Sequence, residues 1–144
     1  MTNQVVKWDA AAAREIIAAH AHLRGAALPV LQAVQEAFGY VPEAALPLIA
    51  DALNISRADI YGVVTFYHDF RREPPGRRVV KVCRAEACQS MGGREAAAAL
   101  LKDCGVEWGE TSADGAVTIE AVYCLGLCAV APAVLIDGEP LGRA

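Results

Sequence analysis

No basic block longer than a pair interrupts this chain, and its 17 acidic residues outnumber 13 basic ones, for a formal net charge of -4. A nucleic-acid or anionic-membrane surface needs the opposite balance, so proteins are the expected partners. No apolar run reaches membrane-spanning length, and the start Met1-Thr2-Asn3-Gln4-Val5-Val6-Lys7 lacks the basic, apolar and small-residue parts of a secretory leader. The expectation is a soluble, cytoplasmic protein with no membrane insertion. Aromatics are sparse, with two Trp, three Phe and four Tyr. The 55% hydrophobic fraction therefore rests on alanine and valine, which suits closely packed helices and a small sheet. Neither a complete Gly-x-Gly-x-x-Gly nor a phosphate-loop Lys-Ser/Thr is present, which puts nucleotide and flavin binding elsewhere. No catalytic triad or paired-carboxylate site is visible either.

What is present changes character midway. Asp9 is placed to cap a helix over Ala10 to Leu23 that Arg24-Gly25 closes. Pro29 fits the first turn of a second helix, with Val30, Leu31, Val34, Ala37 and Phe38 on one face before Gly39. A third helix runs Glu43 to Leu53 with Pro47 in its first turn. Ser56, with Asp59 three residues on, caps a fourth, whose apolar face carries Ile60, Val63, Val64 and Tyr67. The proline-rich stretch Arg71-Arg72-Glu73-Pro74-Pro75-Gly76 then breaks the helical pattern, so the expected units are residues 1–75, a helical bundle, and residues 76–144. In the second unit Arg78 to Val82 reads as a strand, Gly93 to Cys104 as a helix, and Ala116 to Tyr123 and Ala133 to Ile136 as strands. Asp137-Gly138 reads as a hairpin turn. That order predicts an α/β class, with helices packed on a sheet.

Five cysteines in a reducing compartment point to metal ligation or redox chemistry rather than a disulfide framework. Four form two pairs, Cys83/Cys88 and Cys124/Cys128, separated by residues 89–123. Each pair directly follows an expected strand, so neighbouring parallel strands would deliver both loops to one end of the sheet, where open α/β sheets place their sites. A 2Fe-2S cluster needs two further soft ligands on each iron, which two cysteine pairs supply. Structural zinc is the alternative, although zinc sites more often use two-residue spacers than the four- and three-residue spacers found here. Structural cysteines without a shared ligand, and a dithiol enzyme, also remain open, the last disfavoured because the chain contains no Cys-x-x-Cys. Gly92-Gly93 and Gly126 would let the backbone bring N–H groups to the sulfurs. Such bonds, with Arg84 and Lys81, would raise the reduction potential, and Glu86 would oppose them.

The segments Val82-Cys83-Arg84-Ala85-Glu86-Ala87-Cys88 and Tyr123-Cys124-Leu125-Gly126-Leu127-Cys128-Ala129-Val130-Ala131-Pro132, with the upstream Leu28-Pro29-Val30-Leu31-Gln32 and Thr65-Phe66-Tyr67, resemble the 24 kDa subunit family of respiratory complex I. The resemblance spans nearly the whole chain. It implies a helical N-terminal region followed by a thioredoxin-like 2Fe-2S ferredoxin domain, with one cluster on Cys83, Cys88, Cys124 and Cys128. It also implies a partner subunit carrying FMN, NAD and further iron-sulfur. Within the family, Cys83 to Gly92 is most similar to gamma subunits of soluble, molybdenum-containing, NAD-dependent formate dehydrogenases, and the chain lacks the longer tail of some complex I forms. The expected role is a non-catalytic electron-transfer subunit, linked through the FMN/NAD subunit to a molybdenum catalytic subunit. Complex I and NAD-linked hydrogenases are the competing homes, and a zinc-stabilised interaction module is the alternative from another class.

The other suggestive residues have plainer readings. Cys104 shares a helical face with Ala97, Leu100 and Leu101 and reads as a buried small side chain. His68 reads as a surface or capping residue, while His20 and His22 point to different helical faces and cannot pair on a metal. Pro132 occupies a place where thioredoxin-like folds often hold a cis proline, but the general preference is trans.

Overall fold

The computed structural model describes residues 6–144, so the first five residues of the segment read for a leader lie outside it. The chain packs as two compact units, one ending at Pro74 and the other running Pro75–Ala144. The first contains α1 (Ala10–His20), α2 (Ala27–Phe38), α3 (Ala45–Leu53) and α4 (Arg57–Phe66). Asp9 accepts the N–H groups of Ala11 and Ala12 at the head of α1, and Gly39 closes α2 with φ 83°. At α4 the Ser56 hydroxyl accepts the Asp59 N–H while the Asp59 carboxylate accepts the Ser56 N–H, a reciprocal cap that satisfies two end donors.

The apolar stripes of these helices meet in one core in which Ile17, Leu31, Phe38, Ile49 and Ile60 are fully buried. Each contributes about 1.5–3 kcal/mol of hydrophobic stabilisation. Two details differ from the periodicity reading. Helix α1 stops at His20 rather than Leu23. Tyr67 does not join the inner face of α4, because the backbone turns extended there (φ -89°, ψ 105°) and leaves its side chain exposed.

The second unit is a four-stranded sheet of order β2-β1-β3-β4, built from β1 (Arg78–Cys83), β2 (Val117–Val122), β3 (Ala133–Ile136) and β4 (Glu139–Gly142). Strands β1 and β2 are parallel, with Cys83 opposite Val122, whereas β3 runs antiparallel to β1 and β4 antiparallel to β3. The β3–β4 hairpin turns at Asp137-Gly138, both at positive φ as a tight hairpin turn requires. The Asp137 carboxylate accepts the Val79 N–H at 2.8 Å and lies 2.8 Å from Arg78 Nε, fixing the turn against the start of β1. Between β1 and β2 the chain forms α5 (Glu86–Cys88), a widened turn over Gln89–Gly93 kinked at Met91 and Gly92, and α6 (Arg94–Cys104). Ala97 of α6 packs with Val82, Val106 and Ile119, and Cys104 lies half-buried at the edge of that cluster. The helical bundle and the thioredoxin-like α/β domain are therefore both present, in the expected order.

Candidate metal centre

The parallel pair β1–β2 sets the geometry of the site. Cys83 is the last residue of β1, and Cys124 follows the end of β2 with φ 76°, a left-handed backbone uncommon for a non-glycine residue. The two cysteine loops thus leave the sheet at the same end. Cys88 closes α5, and Cys128 opens a short 3-10 turn over Cys128–Val130. Cys83 and Cys88 are buried, at 4% and 2% exposure, while Cys124 and Cys128 are open to solvent.

The thiols interact within each pair, and Cys83, Cys88 and Cys128 also act on one another across the pairs. Cys124 Sγ lies 3.8 Å from Cys128 Sγ, and Cys83 and Cys88 interact within the first pair. Burial pushes the Cys88 thiol up, and the hydrogen bond with Cys83 and the charges of Cys83 and Cys128 add to it. Cys128, open to solvent, is raised chiefly by its hydrogen bond and charge interaction with Cys124, and also by the charge of Cys83. Burial raises Cys83 as well, but there the backbone of Ala85, the Cys88 thiol and the backbones of Cys124 and Leu125 outweigh it, leaving a lowered thiol. Charge interactions of Cys128 with Cys83 and Cys88 run between the two pairs.

Backbone donors complete the cradle. The Gly126 N–H points at Cys124 Sγ, 3.4 Å away, and the Ala133 backbone favours the charged form of Cys88. Gly126 therefore acts as its place in the second loop suggested. Gly93 serves differently, through close approach: a Cβ on it would lie 2.5 Å from the Cys88 carbonyl oxygen. The backbones of Ala85, Leu125 and Ala133 escaped the sequence reading, because an amide group carries no residue signature. The Ala131–Pro132 bond, whose geometry the sequence left open, is cis.

Other candidates fall outside the centre. Lys81 Nζ sits 3.7 Å from Glu120 Oε2, so its charge is partly offset by a neighbour that the sequence reading did not pair with it. Arg84 lays its guanidinium over the Trp108 ring, 4.8 Å from the centroid. His20 Nδ1 contacts the Ile16 carbonyl oxygen within α1, and His68 is exposed.

The donor set fits a binuclear iron-sulfur core. It offers four soft thiols in two pairs, with backbone groups directed at the sulfurs. Among the described residues, no group of three or more His, Cys, Asp or Glu gathers closely enough to hold a single metal ion. No helix among them is long and apolar enough to cross a membrane.

Comparison with known proteins agrees with this geometry. The family described as thioredoxin-like 2Fe-2S ferredoxin matches residues 13–144. The chain is 39% identical over 119 residues to a subunit of the NADH-quinone oxidoreductase of Pseudomonas aeruginosa, covering 83% of this chain and 72% of that one. It is 38% identical over 116 residues to the like-named NADH-quinone oxidoreductase component of Salmonella typhimurium, covering 81% and 70%. Among solved structures, an air-oxidised NAD+-reducing NiFe-hydrogenase aligns with a TM-score of 0.68 and 26% identity over 79% of this chain. The chain spans a fifth of that hydrogenase chain.

Proposed function

This chain belongs to the thioredoxin-like 2Fe-2S ferredoxin family, and from that premise we propose that it holds one 2Fe-2S cluster on Cys83, Cys88, Cys124 and Cys128 and works as the electron-transfer subunit of an NAD-linked oxidoreductase. The observation that carries the reading is that the parallel strands β1 and β2 release both cysteine pairs at one end of the sheet. When bound, the cluster supplies a one-electron carrier. The chain's own contribution is to hold the thiolates, to direct backbone groups at the sulfurs, and to bury the Cys83/Cys88 side while Cys124 and Cys128 stay near the surface. Donors aimed at sulfur stabilise added negative charge and so favour the reduced state.

The flavin and nicotinamide chemistry belongs to a partner, because the chain itself carries no nucleotide-binding fingerprint. That partner is an FMN- and NAD-binding iron-sulfur subunit. Relatives named as subunits of NADH-quinone oxidoreductase, and the likeness to an NAD+-reducing hydrogenase, support an assembly of this kind. The finer reading is a cytoplasmic NAD-dependent formate dehydrogenase, in which a molybdenum subunit oxidises formate and this chain exchanges electrons with the FMN- and NAD-binding subunit. It rests on the run Cys83-Arg84-Ala85-Glu86-Ala87-Cys88-Gln89-Ser90-Met91-Gly92.

Affinity purification under anaerobic conditions separates these homes. Copurification with a flavoprotein and a molybdenum-containing subunit, with formate bleaching the visible spectrum, supports the formate assembly. Copurification with quinone-reducing or nickel-containing subunits assigns one of the other two.

A further inference from the structure

A cleft of about 340 Å³ opens beside Cys83, on the side of the sheet covered by α6. Its lining combines apolar Ala97, Leu101 and Trp108 with polar Arg84, Arg94 and Gln89. Neither arginine has a carboxylate partner among the described residues, and no acidic side chain lines the cleft. Both are nonetheless held in place. The Arg84 guanidinium rests over the Trp108 ring at 4.8 Å. Arg94 Nη2 donates to Gln89 Oε1 at 2.8 Å, and Gln89 Nε2 donates in turn to the Arg84 carbonyl oxygen.

A chain with an overall charge of -4 therefore keeps two oriented, unneutralised guanidiniums around an apolar recess. Planar guanidiniums with fixed stems suit paired hydrogen bonds to carboxylates, and little side-chain freedom is left to lose on binding. We propose that this cleft receives an aspartate or glutamate side chain of the flavin-bearing subunit, docking that subunit directly against Cys83. The assignment rests on the electron-transfer reading above. Cys83 lines the cleft itself, so a carboxylate seated between the arginines brings the partner's surface to the wall of the metal centre and shortens the path between redox groups. The cleft fixes orientation as well as affinity, because a carboxylate must satisfy two guanidiniums from different elements at once.

The test uses the full chain isolated with its flavin-bearing subunit. Arg84→Gln with Arg94→Gln should weaken that association about thirtyfold, the loss expected when both partners of a desolvated carboxylate are removed. The salt dependence of binding should flatten, while iron content and the reduced-state paramagnetic signal persist. In the single variants Arg84→Lys and Arg94→Lys, carbodiimide treatment of the complex should yield a new amide between the substituted position and an acidic partner peptide, read by mass spectrometry. Unchanged affinity of the double variant, or no crosslink at either position while the wild-type complex forms, overturns the cleft's assignment and leaves the electron-transfer reading standing. Saturable binding of inorganic phosphate to the free chain at micromolar concentration reassigns the cleft to a free anion and also overturns it. A wild-type chain that associates with no flavin-bearing subunit overturns the functional reading, and the docking proposal falls with it.

Discussion

Replacing Gly93 with alanine tests how the first cysteine pair is held. The Cβ would stand 2.5 Å from the Cys88 carbonyl oxygen and 2.9 Å from its carbonyl carbon, where ordinary contact begins at 3.4 Å. The obstacle is backbone, so no side chain can swing away, and the gap must open by roughly 0.9 Å. Such overpacking costs about 1–3 kcal/mol, and the better helix propensity of alanine returns at most about 1 kcal/mol. The expected net loss of about 1–2 kcal/mol lowers the melting temperature by roughly 5–10 °C for a domain of this size. More tellingly, the displaced backbone is that of Cys88 itself, and a ligand moved by more than about 0.5 Å no longer presents its thiolate correctly. Purified Gly93→Ala protein should carry less iron and labile sulfide per chain. Gly62→Ala in α4, where a Cβ meets nothing within 4 Å, serves as the control and should leave iron unchanged. Full cluster occupancy and an unaltered melting temperature in Gly93→Ala would refute the reasoning.

Three further outcomes follow from the same structure. Cys88→Ser or Cys124→Ser should lose or strongly perturb the cluster by iron analysis and absorption, while Cys104→Ala, half-buried beside Leu100 and Leu101, should retain it. Ser56→Ala should cost about 1 kcal/mol of the helical unit's stability, measured by denaturant unfolding. The Ser56 hydroxyl and then its N–H hold the Asp59 carboxyl below its usual range, so this support is present at neutral pH and is lost as pH falls through the lowered value. Asp59→Asn should accordingly flatten the acid limb of a circular-dichroism titration. Arg84→Ala should lower the cluster's midpoint potential by some tens of millivolts, on the order expected for one nearby charge, and voltammetry showing no change would count against it.

The legible parts of this protein were those whose signal is local. Asp9, Ser56 and Gly39 mark helix ends because capping and left-handed closure depend on a residue and its near neighbours. Val30, Leu31, Val34 and Phe38 announce a buried face through spacing alone. Two cysteine pairs following two strands foretold a shared end of the sheet, since parallel neighbours bring such loops together. What stayed hidden is non-local or carries no side-chain signature. Helical structure begins at Glu86 rather than Gly93, because the kink at Met91 and Gly92 joins α5 to α6 and conceals the period. The pairing of Lys81 with Glu120 follows from strand register, and Arg84 over Trp108 joins the loop after β1 to the turn after α6. The isomer of the bond before Pro132, which is cis, could not be read from one proline, since the general preference and the place in the fold point opposite ways.

Chemical and magnetic analysis of anaerobically purified protein tests the central claim most directly. Iron and acid-labile sulfide should appear in the ratio of a 2Fe-2S core, with visible absorption that dithionite bleaches and a rhombic paramagnetic signal in the reduced state. Stoichiometric zinc, negligible sulfide and no signal on reduction would contradict it.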